Sequence, residues 1–157
     1  MTAFRRGIRF GIDVGRARVG VARSDPDGVL AVPVETVPRK GEPIRRIATL
    51  VSEYEAFEVL VGLPLNLRGE DTPSTTDARA FAAALAAALP MTVRLVDERL
   101  STVSAQSVLR EAGRSQRDSR SIVDQVAAVV LLQQALDVER QSGEPAGPAV
   151  TPGQEPA

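Results

Sequence analysis

Arg9-Phe10-Gly11-Ile12-Asp13-Val14-Gly15-Arg16-Ala17-Arg18-Val19-Gly20-Val21-Ala22-Arg23-Ser24 is the stretch on which the fold turns. Two apolar runs, 9–14 and 18–23, flank Gly15-Arg16-Ala17, and so short a linker makes them a β-hairpin. Asp13 sits inside the first run. A carboxylate at mid-strand is costly unless something compensates it. Gly11 and Gly15 remove side chains on either side and let a ligand or another backbone come close. The plainer reading is that Asp13 turns the hairpin after Val14.

Outward from the hairpin, residues 29–37 form a third strand, with Pro33 marking it as a sheet edge. Ile44, Ile47, Ala48, Leu50 and Val51 recur at helical spacing over 42–54. Residues 57–62 read as a buried parallel strand that ends in the loop Gly62-Leu63-Pro64-Leu65-Asn66. A second helix starts near Thr72, with Pro73 in its first turn, and stops before Pro90. A fifth strand covers 92–96. A third helix, capped by Ser101 or Thr102, ends at Gly113. After a polar stretch over 114–120, a Ser121 cap opens a last helix from Ile122 to about Arg140.

Residues 141–157 hold four prolines and three glycines and predict a disordered tail. The order β-β-β-α-β-α-β-α-α over a single domain, residues 1–140, implies an α/β fold. Its five-stranded mixed sheet has the later strands parallel to the first and helices on both faces.

The chain has 157 residues, with 19 Lys+Arg against 20 Asp+Glu, no His and no Cys. Disulfides, Cys/His zinc sites, Ser-His-Asp and Cys-His nucleophiles and a histidine base are excluded by inventory. A metal would sit on carboxylate oxygens, which suits Mg, Mn or Ca. No run approaches the ~18 apolar residues of a membrane span, and no segment has the shape of a signal peptide. The expectation is a cytoplasmic protein with no membrane partner.

Residues 1–24 carry a net charge of +5 and residues 94–120 a net +2, which is a local footprint for a phosphate backbone. Arginine fills 18 of the 19 basic positions, a bias that a GC-rich coding sequence produces as well.

Asp97 and Glu98 follow the fifth strand at its carboxyl end, where open α/β sheets place ligands. With Arg99 they make either a metal ligand beside a phosphate clamp or a polar strand-to-helix turn. Asp124 lies in the first turn of the last helix, where it favours the helix dipole and can complete a capping box. The small Ala127 and Ala128 also let that helix approach the sheet and present Asp124 toward Asp13. Three converging carboxylates repel one another without a cation, so together they imply one or two Mg or Mn ions. Two ions about 4 Å apart across a scissile phosphate would activate water and stabilise the leaving oxygen.

Gly11-Ile-Asp-Val-Gly-Arg-Ala-Arg-Val-Gly-Val-Ala22, Val61-Gly-Leu-Pro-Leu-Asn66, Asp97-Glu-Arg-Leu-Ser-Thr102 and Val123-Asp-Gln-Val-Ala-Ala128, in this order and spacing, resemble the YqgF/RuvX family of the RNase H-like superfamily. The resemblance covers all but the tail. It implies an RNase H-like fold related to the RuvC resolvases, and a nuclease dependent on Mg2+ or Mn2+. Its acidic triad falls on Asp13, Glu98 and Asp124. The family has been linked both to maturation of the 5′ end of pre-16S rRNA and to Holliday-junction resolution, so the expected partner is nucleic acid, either pre-rRNA or branched DNA.

Arg16, Arg18, Asn66, Arg99 and Arg117 are the candidate substrate contacts. Asn66 is either at the rim of the site or purely architectural. Two departures bear on substrate. Arg16-Ala17-Arg18 stands where the family usually has Thr-Lys-Arg, and Gly113 to Arg120 is arginine-rich where lysine is common. Arginine keeps the charge and adds bidentate phosphate geometry.

Two other readings remain. The hairpin also resembles the phosphate loop of actin-like ATPases, but those need two such domains. A non-catalytic RNA-binding assembly factor would lean on Arg–phosphate contacts, since only five aromatic residues are present. A resolvase cutting two strands symmetrically would be a homodimer, for which the edge at 29–37 is a candidate surface.

Overall fold

The computed structural model describes residues 4–100 and 119–150, with side chains described at all of these except 100 and 119–124. Five strands, β1 (Arg9–Val14), β2 (Arg18–Ser24), β3 (Ala31–Pro38), β4 (Glu58–Leu63) and β5 (Thr92–Asp97), form one sheet in the order β3-β2-β1-β4-β5. The β1–β2 and β2–β3 pairs are antiparallel, and β1–β4 and β4–β5 are parallel. This is the expected mixed sheet, with β3 and its Pro33 at one edge.

Two faces of the sheet bury two cores. Phe10, Ile12, Val19, Val21, Val59 and Val61 alternate onto the face covered by helices α1 (Pro43–Glu53) and α2 (Pro73–Ala88). On the other face, Ala22, Leu60 and Val96 pack against Ala128, Leu131, Leu132, Ala135 and Leu136 of the last helix, α3 (Ser119–Ser142). The expected helix ending at Gly113 lies outside the described residues.

Gly11 sets how closely α3 approaches. A Cβ there would stand 2.8 Å from Leu132 Cβ and 3.1 Å from the Ala128 carbonyl oxygen. The direction of α3 follows from its contacts. Near its C-terminal end, Glu139 accepts from Arg9 Nη2 at 2.9 Å, at the start of β1. Near its N-terminal end, Gln125 Nε2 donates to Thr36 Oγ1 at 3.0 Å. Thr36 pairs with Gly20, and Gly20 with Asp13. The first turns of α3 therefore lie level with Asp13.

At the far end of the sheet, Arg5, Arg9, Glu58, Arg94 and Glu139 form a connected ionic cluster. Arg5 bridges Glu58 at 2.9 Å and Glu139 at 2.6 Å, Arg9 meets Glu139, and Arg94 meets Glu58 at 2.7 Å. Arg9, Glu58 and Glu139 are buried. The cluster ties the N-terminal segment and β1 to α3.

Residues 141–150 correct the expectation of a tail without structure. The helix continues through Ser142. Leu95 N then donates to the Pro148 carbonyl, Val150 N donates to the Val93 carbonyl, and Ala149 bridges Arg94 in antiparallel register. The β5 edge offers unpaired backbone groups, while Ala146 and Val150 supply apolar surface to the two cores. Residues 151–157 lie outside the described residues. Among the described residues, no helix is long and apolar enough to cross a membrane.

Candidate active site

Asp13 lies two residues beyond Gly11, on the same sheet face as α3. At the carboxyl end of β5 the chain turns into a single 3-10 turn, Glu98–Leu100. This turn separates the two adjacent acids. Asp97 goes to Arg99, whose guanidinium Nη2 and Nε donate to it at 2.6 and 3.0 Å and whose backbone N–H donates at 2.9 Å. Those hydrogen bonds hold the Asp97 carboxyl below its ordinary range.

Glu98 goes the other way, over Gly62 of β4. A Cβ at Gly62 would stand 3.0 Å from both Cγ and Cδ of Glu98, so only glycine leaves room for this carboxyl. There Glu98 hydrogen-bonds with Asp13. Burial first, then the Asp13 hydrogen bond and charge, push the Glu98 carboxyl up to about 8. Asp97 is thus the ionised partner of an arginine, and Glu98 shares its environment with Asp13.

A close, partly buried pair of carboxyls that retains a proton near neutrality is a donor set a divalent cation relieves, and every donor is a hard oxygen. The residues therefore fit such a cation. Among the described residues no group of three acids surrounds a point. The backbone of residue 124 is in the first turns of α3, at the level of Asp13, and its side chain lies outside the description.

The other candidates divide. Arg16 is exposed on the β1–β2 turn, which Gly15 N closes onto the Arg18 carbonyl at 2.9 Å, and Arg18 is half-buried at the start of β2. The Asn66 side chain is engaged by its own turn, with Oδ1 accepting from Arg68 N and Glu70 N at 2.9 Å each. That is the architectural alternative, and any influence on chemistry passes through the turn. Arg99 is held by Asp97 with its guanidinium partly exposed. Arg117 lies outside the described residues.

Two residues that sequence reasoning passed over belong to the site's frame. One is Gly62, whose signal was a glycine inside an otherwise apolar strand. The other is Arg39. Its Nη1 donates to the Gly15 carbonyl at 2.9 Å, and its two Nη atoms fork onto Asp77 of α2 at 2.7 and 3.0 Å. Arg39 N also donates to the Ala17 carbonyl at 2.9 Å, so Arg39 clamps the turn that follows Asp13. No local pattern marks it, because its partners are remote in sequence.

A mixed sheet with three antiparallel strands leading, helices on both faces and an acid pair across its central strands is the arrangement of an RNase H-like fold. Thermus thermophilus RuvC in complex with a Holliday junction substrate superposes with a TM-score of 0.60 at 13% identity, over 92% of this chain and 99% of that one, a likeness of fold. The chain belongs to the RuvX family, whose model, described as Holliday junction resolvase, matches residues 7–138. Relatives provisionally named pre-16S rRNA nuclease include one from Clavibacter michiganensis subsp. michiganensis, 54% identical over 93% of this chain and 92% of its own. Another, from Streptomyces coelicolor, is 52% identical over 93% and 89%. This chain is accordingly an enzyme that hydrolyses nucleic acid.

Proposed function

We propose that the protein is a Mg2+- or Mn2+-dependent endonuclease that matures the 5′ end of pre-16S rRNA in the cytoplasm, with Asp13, Glu98 and Asp124 as its catalytic acids. The observation that carries the reading is the Asp13–Glu98 carboxyl pair, seated over Gly62 at the carboxyl ends of the parallel strands. The substrate follows the names of relatives that align over nearly the whole chain.

When bound, a divalent cation supplies activation of water and stabilisation of charge on the leaving oxygen. Asp13 would hold it from β1 and Glu98 from the turn after β5, the two carboxyls meeting over Gly62 of β4, with Asp124 as the third ligand from the start of α3. The Glu98 carboxyl would give up its proton to bind such a cation. Arg16 and Arg18 face the polyanion from the hairpin that Arg39 fixes, and Arg99 orders the turn beside the acids.

Resolution of four-way DNA junctions, favoured by the family description, would need a homodimer, with the β3 edge as its candidate surface. Cleavage of a pre-16S 5′-leader RNA and a four-way DNA junction, side by side with and without metal, tests the assignment. Wild type should cut the leader, and neither Asp13→Asn nor metal-stripped protein should. Cutting of the junction alone would reverse the assignment, and binding without cutting would make the protein an assembly factor.

A further inference from the structure

Beyond β4 the chain makes a tight turn, at the sheet end that carries the acid pair. Leu65 bridges Asp71 in antiparallel register, Asn66 N donates to the Glu70 carbonyl at 3.1 Å, and Gly69 N donates to the Asn66 carbonyl at 2.9 Å. The Asn66 side chain closes the turn from inside. Gly69 adopts φ +78°, a left-handed conformation that favours glycine. The turn is anchored at both ends: the Thr75 hydroxyl donates to the Pro64 carbonyl, and Asp71 pairs with Arg79 of α2 at 3.1 Å.

Leu67 stands on this frame 96% exposed, with the exposed Arg68 beside it. The turn rests on the site. A Cβ at Gly69 would lie 3.1 Å from Nη1 of Arg99, the residue after Glu98.

One exposed leucine is ordinary on a protein surface. What distinguishes Leu67 is rigidity and place. Among the described residues, the other exposed large apolar side chains are Val29, Leu30 and Tyr54. Val29 and Leu30 precede β3 at the far end of the sheet, where Ala31 pairs with Ser24, and Tyr54 packs on Phe10. The remaining rings, Phe4, Phe57 and Phe81, lie under the guanidiniums of Arg9, Arg5 and Arg39. Among the described residues, the site end thus presents one apolar knob, with a cation next to it. A nucleic-acid strand offers two surfaces, anionic phosphates and apolar base faces, and a leucine fits only the second.

We propose that Leu67, held on the rigid Leu65–Asp71 turn, packs against a base beside the scissile phosphate of the RNA and unstacks it, while Arg68 contacts the adjoining backbone. Leu67 is then a positioning residue that sets which phosphate reaches the acid pair. The inference rests on the RNA reading above and deepens it.

The test places 2-aminopurine at successive positions of the leader RNA. Binding to a cleavage-blocked Glu98→Gln protein should raise fluorescence at one position next to the cut. Adding Leu67→Ser should abolish that rise. In the cleaving protein, Leu67→Ser should raise KM by about tenfold, the worth of a buried leucine side chain, broaden the cut site and leave the melting temperature unchanged. Leu67→Phe should restore both signals. If wild type cuts the leader and Leu67→Ser matches it in fluorescence, KM and cut position, the inference falls and the RNA reading stands. If wild type neither binds nor cuts the leader, both fall.

Discussion

Glu98 occupies the space that Gly62 leaves empty. With 3.0 Å from a hypothetical Gly62 Cβ to both Cγ and Cδ of Glu98, even one methyl group would move the carboxyl off Asp13. Gly62→Ala should therefore lower kcat by about 100-fold, as expected for a catalytic group misplaced by roughly 1 Å. Its circular dichroism should stay native. Wild-type kcat in this variant would show that Glu98 need not sit there.

The metal-free protein should become less stable as pH rises from 4.5 to about 8. Glu98 carries its proton in the fold over that window and has lost it in the unfolded chain, so the native state binds more protons and is favoured at the lower pH. Melting curves in chelator should show this slope, and Glu98→Gln should flatten it.

Metal binding should run the other way. A cation seated at Asp13 and Glu98 displaces the shared proton, so Mn2+ affinity should rise about tenfold per pH unit below pH 8. Calorimetry in two buffers reads the proton released. Asp124→Asn should weaken the same affinity, and an unchanged value would remove Asp124 from the ligand set.

Arg39→Ala should lower kcat by about 10- to 100-fold, by freeing the Gly15 carbonyl and the turn after Asp13. Arg39→Lys keeps the charge but cannot fork onto Asp77 and should recover little. Nuclease assays on both variants check this.

Glu139→Ala should cost about 3 kcal/mol, because it leaves Arg9 buried without its carboxylate, and so lower the melting temperature by roughly 6–12 °C. Burial raises the Glu139 carboxyl, but the Arg5 hydrogen bonds and the Arg9 charge outweigh it and hold the carboxyl below its ordinary value. Its stabilisation is present above the unfolded pKa and is lost as pH falls through the lower folded one. Acid denaturation of the wild type should show this loss.

The hairpin, the edge strand and the helix over 43–53 were legible because period and turn chemistry are local. Asp13 was legible for the same reason, as a charge where a strand should be apolar. Asp97 and Glu98 could not be told apart by spacing, since the turn at 98–100 decides which acid faces Gly62. Arg39 was invisible because its partners lie 24 and 38 residues away. The β5 edge that orders Pro148 to Val150 exists only once the sheet is assembled.

Helix α3 also gives the protein a history. During synthesis Asp13, Gly62 and Glu98 emerge long before Ala128 and Leu132, so the trough above Gly11 stays wet until the last helix docks and Glu139 locks to Arg5 and Arg9. Contacts of such long sequence separation close late. The last helix, made well after the acids it stands level with, is therefore what closes the core beside the Asp13–Glu98 pair of this nucleic-acid hydrolase.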